Sequence, residues 1–161
     1  MKRSSTDGDV YILAIESSCD ETAAAVVKNG REVIANVISS QIDLHTLYGG
    51  IVPEIASRKH IEKINQVIEE ALSQAGVTLE EITAIGVTYG PARGGRLLLA
   101  VPRARPIAIA AANPWGEVPI FEGHCPPTLS GRPGLGPPFW ALIVSAGDPM
   151  LETGRVTGEL E

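Results

Sequence analysis

The dipeptide Asn29-Gly30 constrains this chain more than any other feature. It lies inside "TAAAVVKNGREVIANVIS" (22–39), with an apolar, β-rich run on each side. A two-residue type I′ turn needs positive φ at both central positions, and Asn-Gly meets that need at the least steric cost. A third apolar run, "VYILAI" (10–15), comes just before. The three runs predict an antiparallel three-strand meander whose first turn is "ESSCDET" (16–22). Six of the seven residues in that turn carry oxygen-bearing side chains, and three of these are carboxylates. A plain hairpin needs only two turn residues, so this loop is expected to hold something.

The next segments read as an α/β pattern. "SQIDLHTLYGGIV" (40–52) is a loop in which Gly49-Gly50 supplies a turn and His45 borders a possible cleft. Pro53 opens a helix at a position where a missing N–H costs little. Ile61, Ile64, Ile68, Ala71, Leu72 and Ala75 fall on one helical face, and Gly76 closes the helix. Lys59 and His60 fall on the exposed side and read as solvated. "ITAIGVTYG" (82–90) is a further strand ending at Gly90-Pro91. Strands, a helix, then a strand indicate an α/β lobe with a mixed sheet and flanking helices.

Composition changes after residue 91. Ten of the 12 prolines lie between Pro91 and Pro138, and all four lysines lie at or before Lys63. "LLLAVPRARPIAIAAA" (97–112) has the apolarity of a helix, but Pro102 and Pro106 would break or kink its interior. "CPPTLSGRPGLGPP" (125–138) is loop by composition, and "FWALIVS" (139–145) is a strand. The tail "DPMLETGRVTGELE" (148–161) is too short to finish a domain by itself. The expected organisation is a disordered N-terminus (1–9) and one lobe (10–161). Within that lobe, 92–138 is loop-rich and expected to pack poorly.

Bulk properties exclude several classes. No apolar run approaches the roughly 18–20 residues of a membrane span, and "MKRSSTDGDV" lacks a signal peptide's apolar centre. Two lone cysteines, Cys19 and Cys125, indicate a reducing cytoplasm rather than a disulfide scaffold. Residues 1–90 hold 7 basic and 13 acidic side chains, whereas residues 91–161 hold 6 of each, so the net charge of −6 resides in the first part. Such a chain offers no strong field for nucleic acid, and an RNA partner would need basic surface from elsewhere. There is no HExxH and no recognisable Ser/His/Asp arrangement, which argues against a protease.

The chemistry of ESSCDET follows from its residue types. The hydroxyls of Ser17, Ser18 and Thr22, with successive backbone N–H groups, can converge on a phosphate. The carboxylates of Asp20 and Glu21 would repel a bare phosphate, which suggests a metal-assisted or acid/base role. The competing reading is a solvated turn with an incidental charge cluster. Cys19 lacks a base nearby in sequence and reads as a small buried side chain rather than a nucleophile.

Three blocks resemble the TsaD family, also known as glycoprotease or O-sialoglycoprotein endopeptidase-like proteins. They are "ILAIESSCDETAAAVV", "SSQIDLHTLYGGIVPEIASRKHIEKI" and "IGVTYGP", in the family's order and spacing. The resemblance implies an actin/Hsp70/sugar-kinase-like (ribonuclease H-like) fold, with ESSCDET as the phosphate-facing loop of the first lobe. It implies a cytoplasmic tRNA threonylcarbamoyl transferase. That enzyme moves threonylcarbamoyl from its adenylate to N6 of the adenosine beside the anticodon. Asp20 and Glu21 are then the catalytic candidates, and Ser17, Ser18 and Thr22 bind substrate. "PPFWALIVSAGDPML" (137–151) is similar to the family's adenylate-contacting strand and turn, which adds Ile143, Val144, Ser145, Ala146 and Gly147. The resemblance also implies a divalent metal (iron or zinc), threonylcarbamoyl-adenylate or an ATP-like nucleotide as ligand, and tRNA bound through a complex. The expected partners are a paralogous TsaB-like subunit and an ATPase subunit.

The chain departs from the family pattern in its second part. "GPARGGR" stands where the family has Gly-Pro-Gly, so Ala92 replaces a glycine, and Arg93 and Arg96 replace small or apolar residues. "PIFEGH" (119–124) keeps His124 as a metal ligand but places Ile120 where the first family histidine belongs. Ala146 replaces a glycine and Asp148 a histidine in the adenylate turn. The family is about twice this length, so a C-terminal lobe is expected to be absent. Three readings follow: a truncated and impaired transferase, a non-catalytic partner-binding lobe of the same pathway, or the product of a decayed or frameshifted gene.

Overall fold

The Asn29-Gly30 turn forms with φ of 51° and 73°, the positive values that only such a pair accepts readily. It joins β2 (Glu21–Lys28) to β3 (Glu32–Ser40), and β1 (Tyr11–Glu16) precedes them. The coordinates are a computed structural model describing residues 8–90, 100–120, 138–143, 150–156 and 159–160. β1 pairs antiparallel with β2 from Tyr11↔Lys28 to Glu16↔Ala23, and β2 pairs antiparallel with β3. The predicted meander is therefore present. A bulge at Val26/Val27 lies just before the turn, where an extra residue sharpens the twist.

The segment read as a loop at 40–52 contains a short helix, α1 (Ile42–Thr46), followed by the Gly49-Gly50 turn with φ of 69° and 158°. Pro53 then opens α2 (Pro53–Ala75), and Gly76 caps it in the left-handed conformation, as the sequence predicts. The buried face of α2 is Ala56, His60, Ile64, Val67, Ile68 and Ala71. Two expectations need correction here. Ile61 is 59% exposed, and His60, expected in solvent, is wholly buried. The steps 56, 60, 64, 67 and 71 follow the 3.6-residue period, and this phase leaves Ile61 outside.

β4 (Ala84–Gly90) runs parallel to β1, with Leu13 opposite Ile85 and Ile15 opposite Val87. The run expected to break at proline is α3 (Ala100–Ala110). Pro102 sits in its first turn, where the N–H would have no intrahelical partner. Pro106 occupies the interior and is exposed, so its ring takes no core space. Ala104 and Ala108 are buried in the core, contrary to the expectation of poor packing at these positions. Ala112 ends the segment at φ 48°, and Asn113 Nδ2 donates to the Ile82 carbonyl at 2.7 Å. β5 (Trp115–Pro119) completes a five-stranded sheet in the order β3-β2-β1-β4-β5.

One apolar cluster unites this sheet and its helices. Leu13 and Ile15 of β1, Val26 of β2, Ile64 and Ile68 of α2 and Ile85 of β4 are among its buried members. Burying each such side chain is worth about 1.5–3 kcal/mol. Residues 119–161 form a second unit, separate from Met1–Val118. In it, β6 (Phe139–Ile143) pairs antiparallel with β7 (Met150–Val156), which pairs with β8 (Glu159–Leu160). The tail, expected to be too short to finish a domain by itself, supplies two strands.

Candidate functional site

Residues 17–20 connect β1 to β2, so ESSCDET begins on the last residue of one strand and ends on the first two of the next. Alternation sets which side chains face α2. Leu13, Ile15, Ser17, Thr22, Ala24 and Val26 are buried, and the register places Glu16 and Glu21 on the opposite face of the sheet. Ser17 and Thr22 are fully buried, Ser18, Asp20 and Glu21 are half-buried, and Cys19 is exposed. The cysteine expected in the core therefore sits at the loop surface.

The loop is held from three directions. Glu16 Oε1 accepts the Ser18 N–H. The Asp20 carbonyl accepts the Gln41 N–H at 2.8 Å. The Cys19 carbonyl lies 3.1 Å from His60 Nε2. His60 Nδ1 in turn contacts Thr22 Oγ1 at 2.8 Å and Gln41 Nε2 at 3.3 Å.

These contacts fix the state of the ring. A carbonyl oxygen only accepts, so Nε2 carries the proton and donates to Cys19. Nδ1 then presents its lone pair to the Thr22 hydroxyl and the Gln41 amide. Burial disfavours the charged ring and lowers its pKa, while the Cys19 carbonyl and the carboxylates of Glu16 and Asp20 oppose that shift. Neutral His60 is the consequence at neutral pH. His45 is also buried; its Nδ1 accepts the Val52 N–H at 3.4 Å. Ser17 Oγ, Gln41 Oε1 and His45 Nε2 are buried with no partner among the described residues.

The sequence candidates thus divide. Ser17, Ser18, Asp20, Glu21 and Thr22 come together in one loop. Ile143 closes β6, and Val144, Ser145, Ala146, Gly147, Asp148 and His124 lie outside the described residues, as do Ala92, Arg93 and Arg96. Sequence reasoning missed His60 and Gln41. The available signal was the phase of α2, which sets His60 four residues before buried Ile64.

The metal ligand expected from the resemblance, His124, lies outside the described residues. Ile120, directly after β5, has no ligating atom where the first family histidine belongs, and no group of three or more His, Cys, Asp or Glu could hold an ion among the described residues.

The profile of the TsaD family, tRNA N6-adenosine threonylcarbamoyltransferase, matches residues 32–160. The chain belongs to the TsaD family. The tRNA N6-adenosine threonylcarbamoyltransferase of Clostridium novyi (strain NT) is 53% identical over 153 residues, covering 95% of this chain and 45% of the relative. The same-named protein of Clostridium perfringens (strain SM101 / Type A) is 58% identical over 136 residues, covering 84% of this chain and 40% of the relative. The chain therefore spans less than half the length of these curated TsaD relatives. Among solved structures, YeaZ from Pseudomonas aeruginosa aligns with a TM-score of 0.59 at 17% identity, covering 94% of this chain and 63% of YeaZ. The sheet order and this likeness give the TsaD-family chain an actin-like, mixed α/β fold. No helix is long and apolar enough to cross a membrane among the described residues.

Proposed function

We propose that the chain supplies the phosphate-facing half of a tRNA threonylcarbamoyl transferase and is not competent alone. The observation that carries this is the anchored ESSCDET loop in a chain 53% identical to the Clostridium novyi enzyme. In the reaction, the N6 amine of adenosine attacks the carbonyl carbon of threonylcarbamoyl-adenylate. A C–N bond forms, the C–O bond to AMP breaks, and the amine loses one proton. Asp20 and Glu21 are the carboxylates at the loop able to take that proton. Ser18 and the loop N–H groups face the leaving phosphate, while buried Ser17 and Thr22 shape the loop. Ile143, Val144, Ser145, Ala146 and Gly147 are the proposed adenylate contacts. His124 is the one proposed metal ligand that this chain keeps, with Ile120 where the first family histidine belongs.

The partners proposed are tRNA, a TsaB-like paralogue and an ATPase subunit, in the cytoplasm. The test has two parts, AMP titration followed by NMR and a transfer assay read by nucleoside mass spectrometry. Loop amides that shift with AMP, without modified adenosine from the chain alone, are the expected outcome. Modified adenosine from the chain alone would overturn it, as would loop amides that ignore AMP.

A second reading is favoured by one observation. Ile38 on β3, Ile42 on α1, Leu47 and Tyr48 in the turn after it and Ile61 on α2 are all exposed, an apolar set suited to covering by a partner. On this reading the lobe binds the paralogue and performs no chemistry. Capture of the paralogue together with unchanged capture by the Asp20→Asn variant, and no AMP shift, would favour it over the first.

A further inference from the structure

The bond pattern around His60 reaches past packing. One ring contacts the loop carbonyl at Cys19, the first strand residues after the loop at Thr22, and the segment after β3 at Gln41. Gln41 closes the circle by donating its own N–H to the Asp20 carbonyl. A wholly buried imidazole with all of its polar atoms bonded is a costly group to place in a core, and its bonds point only at the loop and its flanks. An apolar residue at this phase of α2 would have served packing alone.

We propose that His60 is the positioning residue of the ESSCDET loop: Nε2–H holds the Cys19 carbonyl and Nδ1 anchors Thr22, which together set how Ser18, Asp20 and Glu21 face a phosphate. His60 touches no ligand and acts through the loop. The inference rests on the phosphate-facing reading above only for what the loop faces; the clasp itself stands on the geometry.

Two variants separate the two ends of the ring. In His60→Gln the side-chain amide reaches the place of Nε2 and can still donate to Cys19. In His60→Asn the amide sits near the place of Nδ1 and falls short of Cys19. The test uses the 161-residue chain and amide hydrogen exchange at Ser18 and Gln41, whose N–H groups bond within the loop. His60→Asn should speed these amides roughly tenfold, the loss of about one hydrogen bond. His60→Gln should restore slow exchange, and amides of Val67 and Ile68 should be unaffected in both. Equal acceleration in both variants across α2 would overturn the proposal, because a packing role alone predicts it. Ring ¹⁵N spectra of the unaltered chain give a check that needs no variant: protonation at Nε2 is expected, and protonation at Nδ1 would overturn the clasp. AMP titration on the same samples distinguishes the two readings. If the unaltered chain ignores AMP, the phosphate reading fails while the exchange data still decide the clasp. If it binds, His60→Asn should weaken AMP about tenfold relative to His60→Gln, and equal weakening counts against positioning.

Discussion

Thr22→Val keeps the shape of a fully buried side chain and deletes one hydroxyl, which leaves His60 Nδ1 with Gln41 alone. A loss of about 1 kcal/mol in urea unfolding is expected. His60 makes a pH prediction with a definite sign. Its folded pKa lies below the ordinary histidine value of about 6.5, with burial as the first cause. Below that value the unfolded chain binds a proton that the folded chain refuses, so stability is complete above it and falls as pH drops towards the folded pKa. Glu16 and Asp20 from the loop and His45 from α1 are the titratable groups that act on the ring. Melting temperature should decline from pH 7 to pH 5, and the decline should shrink in His60→Gln. The residue scale was only partly legible in the sequence. "SRKHIEK" reads as surface by polarity, and the ring's partner Thr22 lies 38 positions away, a separation no local pattern carries. Hydroxyl and carboxylate content made the loop itself conspicuous, whereas Cys19 was misplaced because a turn exposes side chains irrespective of their polarity.

Elements were read best where one residue carries the geometry. Gly76 ends α2 at φ 67°, and a Cβ built there meets nothing within 4 Å. Gly76→Ala should therefore cost about 1 kcal/mol through backbone strain alone, read by chemical denaturation. α3 was misread for the opposite reason. Two prolines outweighed the alanine and aliphatic pattern in the sequence, yet Pro102 falls in the first turn and Pro106 on the exposed side. Pro106→Ala restores an N–H facing the Pro102 carbonyl and should raise stability by up to about 3 kcal/mol. α1 went unread because five residues are too few for a helical period to declare itself.

At the scale of the molecule, the acidic first part sets an expectation. Residues 1–90 carry 7 basic against 13 acidic side chains, so phosphate neutralisation by this surface is poor. Gel-shift titration in physiological salt should show no tRNA complex at micromolar chain, and added partner subunits should create one. The antiparallel meander and a mixed sheet were legible from the order of strands and helix, whereas the place of β4, parallel beside β1, was not. In the second unit β6 was legible as the run FWALIVS, and β7 was not. A seven-residue strand containing Thr153, Gly154 and Arg155 shows little alternation, and its pairing with β6 depends on what lies beside it.

The turn that made the fold readable is also a chemical clock. Asn-Gly is the dipeptide most open to attack of the following backbone nitrogen on the side-chain amide, which releases ammonia and closes a cyclic imide that water then opens to an acid. Here both ends of the Asn29 amide are occupied, with Oδ1 accepting the Val10 N–H at 2.9 Å and Nδ2 donating to Asp9 at 3.1 Å. Folding thus guards the bond it exposes. Once the amide is hydrolysed, a carboxylate faces Asp9, and the two compete for Lys28, which sits 2.7 Å from Asp9. Peptide mapping of chain aged folded against chain aged in urea should find the acid at position 29 mainly in the latter. Parity between them would show that the two hydrogen bonds give no protection.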